Sequence, residues 1–164
     1  MEKFVLVIID MQAYFLSALD KDTIKACRRE IRFAIKNECP IIFVEYSGNG
    51  ETIYALKDLI NDYKKVSFIE KFDNDGSHEI AQEIRAIRSN SLKLRVCGVN
   101  VDCCVFDTVL GLRESFGKEI EIVADATNAS SGKNGVMKTC RTLRRHGMRI
   151  VRRKYYEMGQ FDIN

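Results

Sequence analysis

Three side chains that could carry out nucleophilic and acid–base chemistry, Asp10, Lys71 and Cys104, stand just after apolar segments. Asp10 directly follows the apolar run 4–9, where a carboxylate would lose its hydration and need either a partner or a chemical role. Its position alone also allows a helix cap or a loop anchor. Lys71 follows a shorter apolar segment, although most lysines are simply solvated.

Cys104 gives the sharpest chemical signal, because it lies in the first turn of a predicted helix that follows an apolar strand. Free N–H groups and the positive end of the helix dipole stabilise a thiolate there. We therefore expect the Cys104 thiol to have a pKa below the ordinary value of about 8.5 and to act as a nucleophile. Cys103 and the cysteines at 27, 39, 97 and 140 are compatible with core packing instead.

Alternating apolar and amphipathic segments indicate strands separated by helical crossovers, the pattern of a parallel sheet. The predicted strands are 3–9, 40–46, 66–69, 92–97, 119–123 and 148–152. The predicted helices are 21–37, 52–60, 77–88, 103–116 and 133–146. We therefore predict one α/β domain over residues 1–164: a doubly wound, Rossmann-like, mainly parallel six-stranded sheet with helices on both faces. Ligands of such sheets bind beyond the carboxyl ends of the strands.

The composition narrows the classes of protein. The 164 residues carry 26 Lys and Arg against 23 Asp and Glu, a net charge of +3, and 46% are hydrophobic. No apolar run approaches the roughly 18 residues of a membrane span, and we expect a cytoplasmic protein with no membrane partner. Without a C-x-x-C pair, the six cysteines are interpreted as reduced thiols. The two isolated histidines disfavour a zinc site.

Residues 138–154 contain eight Lys or Arg and no acid, which could form a phosphate or nucleic-acid patch. Several of these cations lie off the apolar stripe of the last predicted helix, near its C-terminus, where the helix dipole favours positive charge. A solvated helix face is the simpler interpretation, and we expect no nucleic-acid partner.

The segments VIIDMQAYF (7–15) and GVNVDCCV (98–105), with Lys71 between them, resemble the isochorismatase-like, nicotinamidase-related cysteine hydrolases. The resemblance implies that Asp10 is a general base, that Lys71 orients the reacting groups and that Cys104, rather than Cys103, is the nucleophile. It also implies a cis peptide bond between Val99 and Asn100, with the backbone N–H groups of Asn100 and Cys104 forming an oxyanion hole. Gln12 and Phe15 are candidate pocket residues.

The resemblance further implies a hydrolase that cleaves an amide-type C–N bond of a small molecule through a thioester, without a cofactor. The Asp-x-His metal motif of nicotinamidases is missing, because the region after the second predicted strand reads VEYSGNGE (44–51). We therefore expect no metal. True isochorismatases lack the nucleophilic cysteine, so its presence favours acyl chemistry. Family members commonly form dimers or tetramers, and we expect a homo-oligomer.

Three alternatives remain open from the sequence. The chain could be an inactive binding protein that retains the fold, since fold alone does not grant activity. It could hydrolyse a small substrate that is not an amide. It could also be a redox protein that uses the adjacent Cys103 and Cys104, although vicinal disulfides are strained and neighbouring helical side chains point apart.

Overall fold

The computed structural model describes residues 3–87, 93–116 and 119–152. These residues form one six-stranded sheet with the order β3-β2-β1-β4-β5-β6, in which all neighbouring strands are parallel. The strands are β1 (Val5–Ile9), β2 (Ile41–Tyr46), β3 (Val66–Lys71), β4 (Lys93–Gly98), β5 (Glu119–Thr127) and β6 (Arg149–Val151). The predicted α/β class and the six-stranded sheet are thus confirmed, and the sheet is wholly parallel.

In the described part of the chain, five α-helices connect the strands and cover both faces of the sheet. They are α1 (Lys21–Lys36), α2 (Tyr54–Lys57), α3 (Ser77–Ala86), α4 (Cys104–Phe116) and α5 (Lys133–Arg145). Side chains alternate along β1, so that Val5, Val7 and Ile9 pack with α3, α4 and α5. Leu6 and Ile8 enter a second core with α1 and α2. Because both faces of the sheet are covered, the central strands β1 and β2 have nearly continuous apolar sequences.

The predicted elements differ from the structure mainly at their ends. The predicted helix 52–60 contracts to α2, because Thr52 pairs with Gln12 in an antiparallel bridge and the residues after α2 form turns. Strand β5 extends to Thr127, which pairs with Gly98 beyond a register shift. A short 3₁₀ helix, Leu16–Leu19, was not predicted. The predicted end of the third helix at Arg88 and start of the fourth strand at Leu92 lie outside the described residues.

Strands β1 and β4 are neighbours at the point where the strand order reverses, and their carboxyl ends therefore open the crevice in which doubly wound proteins bind ligands. Gly98 ends β4 with φ +112°, and a Cβ added there would lie 2.1 Å from the Ile9 carbonyl oxygen. Only glycine allows this close approach of the two strand ends. Within the described residues, no helix has the length and apolarity needed to cross a bilayer.

Candidate active site

Asp10 and Lys71 form a fully buried ion pair at the carboxyl edge of the sheet. Lys71 Nζ lies 3.1 Å from Asp10 Oδ2, and both side chains are 0% exposed. Asp10 directly follows β1 in a left-handed conformation (φ +52°), and its N–H donates to the Val44 carbonyl of β2 at 2.9 Å. Lys71 ends β3, two strands away from β1, so its long side chain crosses β2 to reach the carboxylate.

The Lys71 ammonium is held in place by neighbours other than Asp10. It donates a hydrogen bond to the Asp73 carbonyl oxygen at 2.8 Å, and it lies 4.1 Å from the centre of the Tyr46 ring. A Cβ added to Gly76 would come within 2.9 Å of Lys71 Cδ, so the chain closes tightly over the lysine stem. The charge is therefore fixed beside Asp10 and away from solvent.

Cys104 is the first residue of α4 and is only 4% exposed. Its Sγ donates a hydrogen bond to Asn74 Oδ1 at 3.6 Å, and it lies close enough to Asp10 for the two groups to influence each other's ionisation. The sheet therefore brings together Asp10, Lys71 and Cys104, although they are far apart in the sequence.

The thiol differs from the sequence-based expectation in its ionisation. Burial and, to a smaller extent, the negative charge of Asp10 together raise the pKa of Cys104 to about 12, and the charge of Lys71 only partly opposes them. The expectation of a lowered thiol pKa at the helix N-terminus is wrong, because burial and the adjacent carboxylate outweigh the helix end. Burial likewise raises the pKa of Asp10, with partial compensation from Lys71 and the thiol. At neutral pH the thiol therefore retains its proton and needs a base to become nucleophilic.

The segment between β4 and α4 presents two backbone donors. The Val99–Asn100 peptide bond is cis, as the resemblance implies. Within the part of the chain that the structure describes, the N–H groups of Asn100 and Cys104 donate to no protein acceptor, whereas the Asn100 carbonyl accepts from Cys103 and Val105. These two unpaired donors, one of which belongs to Cys104 itself, can receive an oxyanion.

Side chains around Asn100 fix this segment. Asn100 Oδ1 accepts a hydrogen bond from Ser17 Oγ, and Asn128 Nδ2 donates to the Ser17 carbonyl at 3.2 Å. The Asn128 carbonyl accepts from Val101 N at 2.9 Å. Neither Ser17 nor Asn128 was identified from the sequence, because only the folded chain places the 3₁₀ helix and the end of β5 beside Asn100.

The two candidate pocket residues have different surroundings. Gln12 is fully buried, and its Oε1 accepts a hydrogen bond from the Tyr46 N–H at 2.8 Å. Its Nε2 donates to the Tyr46 carbonyl at 3.0 Å and to the Gly50 carbonyl at 2.6 Å. It therefore ties β1 to the loop after β2. Phe15 is half-buried and packs edge-on against Tyr46, with ring centres 6.5 Å apart. Phe15 is thus the one of the two that has accessible surface, and it lies beside the ring that contacts the Lys71 ammonium.

The region where nicotinamidases carry their metal motif does not fit a metal here. Glu45 Oε1 accepts the backbone N–H of Thr52 at 2.7 Å, and the Tyr46 ring lies beneath Lys71. Among the residues described, no three His, Cys, Asp or Glu side chains come together in a way that could hold a metal ion.

The loop between β3 and α3 contains a residue that the sequence reasoning missed. Asn74 contacts the Cys104 thiol, and Thr108, one helical turn after Cys104, anchors this loop. Thr108 Oγ1 donates to the Asn74 carbonyl at 3.2 Å and accepts from Gly76 N at 3.0 Å. The available signal was the position of Asn74, three residues after Lys71 at the ligand-bearing edge.

Comparison with known proteins agrees with this fold. The family model described as the isochorismatase domain matches residues 4–154. A search of curated proteins found no significant match. Among solved structures, the pyrazinamidase/nicotinamidase of Streptococcus mutans UA159 superposes with a TM-score of 0.76 at 20% identity, covering 92% of this chain and 100% of that one.

Two further solved structures are similar over most of the chain. The N-carbamoylsarcosine amidase of Thermoplasma acidophilum has a TM-score of 0.73 at 19% identity, covering 93% of this chain and 96% of that one. The Escherichia coli ycaC gene product, described as an octameric hydrolase of unknown specificity, has a TM-score of 0.72 at 20% identity. That match covers 92% of this chain and 75% of the other.

Proposed function

The chain belongs to the isochorismatase family, and we propose that it is a metal-independent cysteine hydrolase that cleaves the C–N bond of a small amide. The observation that carries this proposal is the contact of a buried thiol with a buried carboxylate, which in turn is paired with a buried lysine. The amidases among its structural neighbours support the same class of reaction.

The arrangement supports a two-step covalent reaction. Asp10 accepts the thiol proton as Cys104 Sγ attacks the amide carbonyl carbon, and the N–H groups of Asn100 and Cys104 stabilise the oxyanion. Asp10 then returns the proton to the nitrogen, the C–N bond breaks and the amine leaves a thioester. Water, deprotonated by Asp10, adds to the thioester, and the thiol is restored as the carboxylic acid departs. The net change is one amide and one water converted to one acid and one amine.

Because the pKa of the Cys104 thiol is raised, the proposed reaction needs Asp10 as a general base. A thiol whose pKa is about 12 supplies almost no thiolate at neutral pH, so the proton must leave during the attack. Asp10 is in contact with that thiol, and its own raised pKa brings it nearer to the basicity that a general base needs. Lys71 keeps a useful fraction of Asp10 ionised despite burial, since its charge favours the carboxylate.

The first experiment is a panel of small amides assayed for ammonia or amine release, with protein dialysed against a chelator. Cys104→Ala should remain folded and lose at least about a thousandfold in turnover, because the proposed acyl intermediate forms on the Cys104 sulfur. Cys103→Ala, the matched control one residue away, should keep most of the activity. Equal losses in the two variants would reject the assignment of the nucleophile. Restoration by added zinc, iron or manganese would reject metal independence.

We further propose that the protein is a homo-oligomer in which a second copy covers the edge that carries the site. Large apolar side chains are exposed in the segments that follow β1, β2 and β3: Tyr14 (71%), Leu16 (85%), Tyr54 (77%) and Phe72 (72%). Such side chains are typical of interfaces, and closed two-fold pairing is the commonest arrangement. Sedimentation at micromolar concentration should give at least twice the mass of one chain. A fully active monomer would show that one subunit completes the pocket.

A further inference from the structure

Asn74 stands between the buried thiol and the solvent. Its side chain is exposed, whereas Cys104, whose Sγ donates to Asn74 Oδ1 at 3.6 Å, is almost fully buried. Asn74 also lines a groove of about 470 Å³ that runs along α4 past Leu110 and Gly111. Cys104 itself does not line this groove, so the observation that places Asn74 beside the reacting atom is its hydrogen bond with the thiol.

The loop that carries Asn74 is held firmly, so the carboxamide has a defined position. The Asn74 carbonyl accepts from Thr108 Oγ1, and the neighbouring Asp73 carbonyl accepts from Lys71 Nζ. Asp73 and Asp75 each accept a backbone N–H two residues further on, which closes two consecutive turns. The same lysine that pairs with Asp10 thus also fixes the loop beside the thiol.

The thiol proton has two acceptors, and the proposed reaction uses only one of them. When Asp10 takes the proton, Asn74 Oδ1 loses the donor that it has in the resting protein. In a reactive complex the carbonyl carbon lies about 3–3.5 Å from the sulfur, and the leaving nitrogen is one bond away from that carbon. An N–H on this nitrogen is therefore within reach of the vacated oxygen.

We propose that Asn74 is a specificity-determining residue, whose side-chain oxygen exchanges its hydrogen bond with the Cys104 thiol for one with the N–H of the substrate amide. The inference rests on the proposed amide hydrolysis and adds a preference within it. An amide that carries at least one N–H satisfies the oxygen, whereas an ester or a fully substituted amide leaves it without a donor. Because Asn74 is exposed, water partly replaces the missing donor, so the preference is about five- to tenfold rather than larger.

Alkylation of Cys104 tests this without a known substrate. Iodoacetamide and methyl iodoacetate react with the same sulfur, and only the first carries an N–H near the reacting carbon. The rate of Cys104 modification by each reagent is followed by mass spectrometry of the peptide and divided by the rate with glutathione. The ratio of the two normalised rates measures the amide preference.

Asn74→Ala should lower this ratio about fivefold or more, because the acceptor is gone. Asn61→Ala, which alters an exposed asparagine in the turn that precedes β3, should leave the ratio unchanged. Asn74→Asp keeps an acceptor oxygen and should restore the ratio, while its negative charge slows modification by both reagents because it opposes thiolate formation. A merely structural role for Asn74 predicts equal changes with both reagents.

The outcomes separate the two proposals. If Asn74→Ala leaves the ratio at the wild-type value, or Asn74→Asp fails to restore it, the specificity role is wrong even when amides are hydrolysed. If the ratio falls as expected but no amide in the panel is hydrolysed, the contact of Asn74 with an N–H of the bound molecule is upheld, and the amide hydrolysis is rejected together with the substrate preference that rests on it. Where a substrate amide is found, its kcat/KM relative to the corresponding methyl ester should fall by the same factor in Asn74→Ala.

Discussion

Two clusters of buried charged side chains, one around Arg95 and one around Asp10, differ in how many oppositely charged partners each side chain has. Beneath α1, Arg95 of β4 lies 2.9 Å from Glu30 and 3.7 Å from Glu121. Its guanidinium also lies over two aromatic rings, 5.4 Å from Phe4 and 5.3 Å from Phe33. Each of the two acids has further cations as partners, which are Arg29, Lys93 and Arg149.

The ion pair of Asp10 and Lys71, at the carboxyl edge of the sheet, has fewer charged partners. Among the described residues, Lys71 is the only cation within ion-pair distance of Asp10, and the remaining neighbour of the carboxylate is the thiol. Burial therefore raises the pKa of Asp10 despite the lysine. Acids that each have several cationic partners, as in the Arg95 network, stay ionised, and we expect that network to stabilise the fold. A carboxylate with one cationic partner and a neighbouring thiol, as at Asp10, is suited to exchanging a proton.

The largest expected difference between the two groups is in activity. Asp10→Asn and Lys71→Met should each lower kcat/KM by about 10²- to 10⁴-fold, the usual contribution of a general base and its partner. Arg95→Met should leave kcat/KM per folded molecule unchanged, because the partners that the structure describes for Arg95 are acids and aromatic rings outside the site. Circular dichroism at the assay temperature checks that each variant is folded. If Asp10→Asn kept more than a tenth of the wild-type activity, the Asp10–Lys71 pair would not differ from the Arg95 network by a catalytic role.

The second difference is in stability. Arg95→Met leaves Glu30, which is 0% exposed, with one fewer cation and removes the group stacked against two rings. The free energy of unfolding should fall by about 3–5 kcal/mol, the usual effect of breaking a buried ion pair. Denaturant titration measures it, and Lys133→Met is the control, since the exposed pair of Lys133 with Asp22 should contribute less than about 1 kcal/mol. Equal losses in the two variants would show that the network is not structural.

The smallest effects concern protons. Asp10→Asn removes a charge that raises the pKa of Cys104, so the thiol pKa should fall below about 12, as followed by thiolate absorbance.

Because the folded-state pKa of Asp10 lies above the unfolded value of 3.8, the folded protein binds the proton of the Asp10 carboxyl group more tightly than the unfolded chain does. Protonated Asp10 therefore contributes to the stability of the folded protein below pH 3.8, and this contribution is lost as the pH rises through the folded-state pKa of Asp10.

The wild type should accordingly gain kcat/KM over the same pH range in which the Asp10 contribution to stability declines, because both follow the ionisation of one carboxylate. Unfolding free energies measured across the acid range should show this decline in wild type and not in Asp10→Asn. A wild-type stability that rises through this range relative to Asp10→Asn would show that the folded protein depresses the pKa of Asp10 instead.

Much of the fold follows from local sequence patterns. The continuous apolar runs of β1 and β2 predict strands covered on both faces, and the 3.6-residue spacing predicts α1, α4 and α5 to within one or two residues. The polar residues at the carboxyl ends of β1 and β3, Asp10 and Lys71, could be singled out as candidates because a parallel sheet carries ligands at that edge. The short α2 could not be predicted well, because a bridge between Gln12 and Thr52 competes with the helix.

The sequence alone determined which chemical groups are available, because residue types and their positions after strands are local properties. Only the tertiary structure decided how those groups behave. The thiol pKa depends on burial and on Asp10, which lies 94 residues earlier in the chain, so a helix-end argument gave the wrong direction. The contact of Asn74 with Cys104 likewise arises from the packing of the β3–α3 loop on Thr108. Charge interactions and hydrogen bonds depend on distance in space, and a linear pattern fixes that distance only within one element.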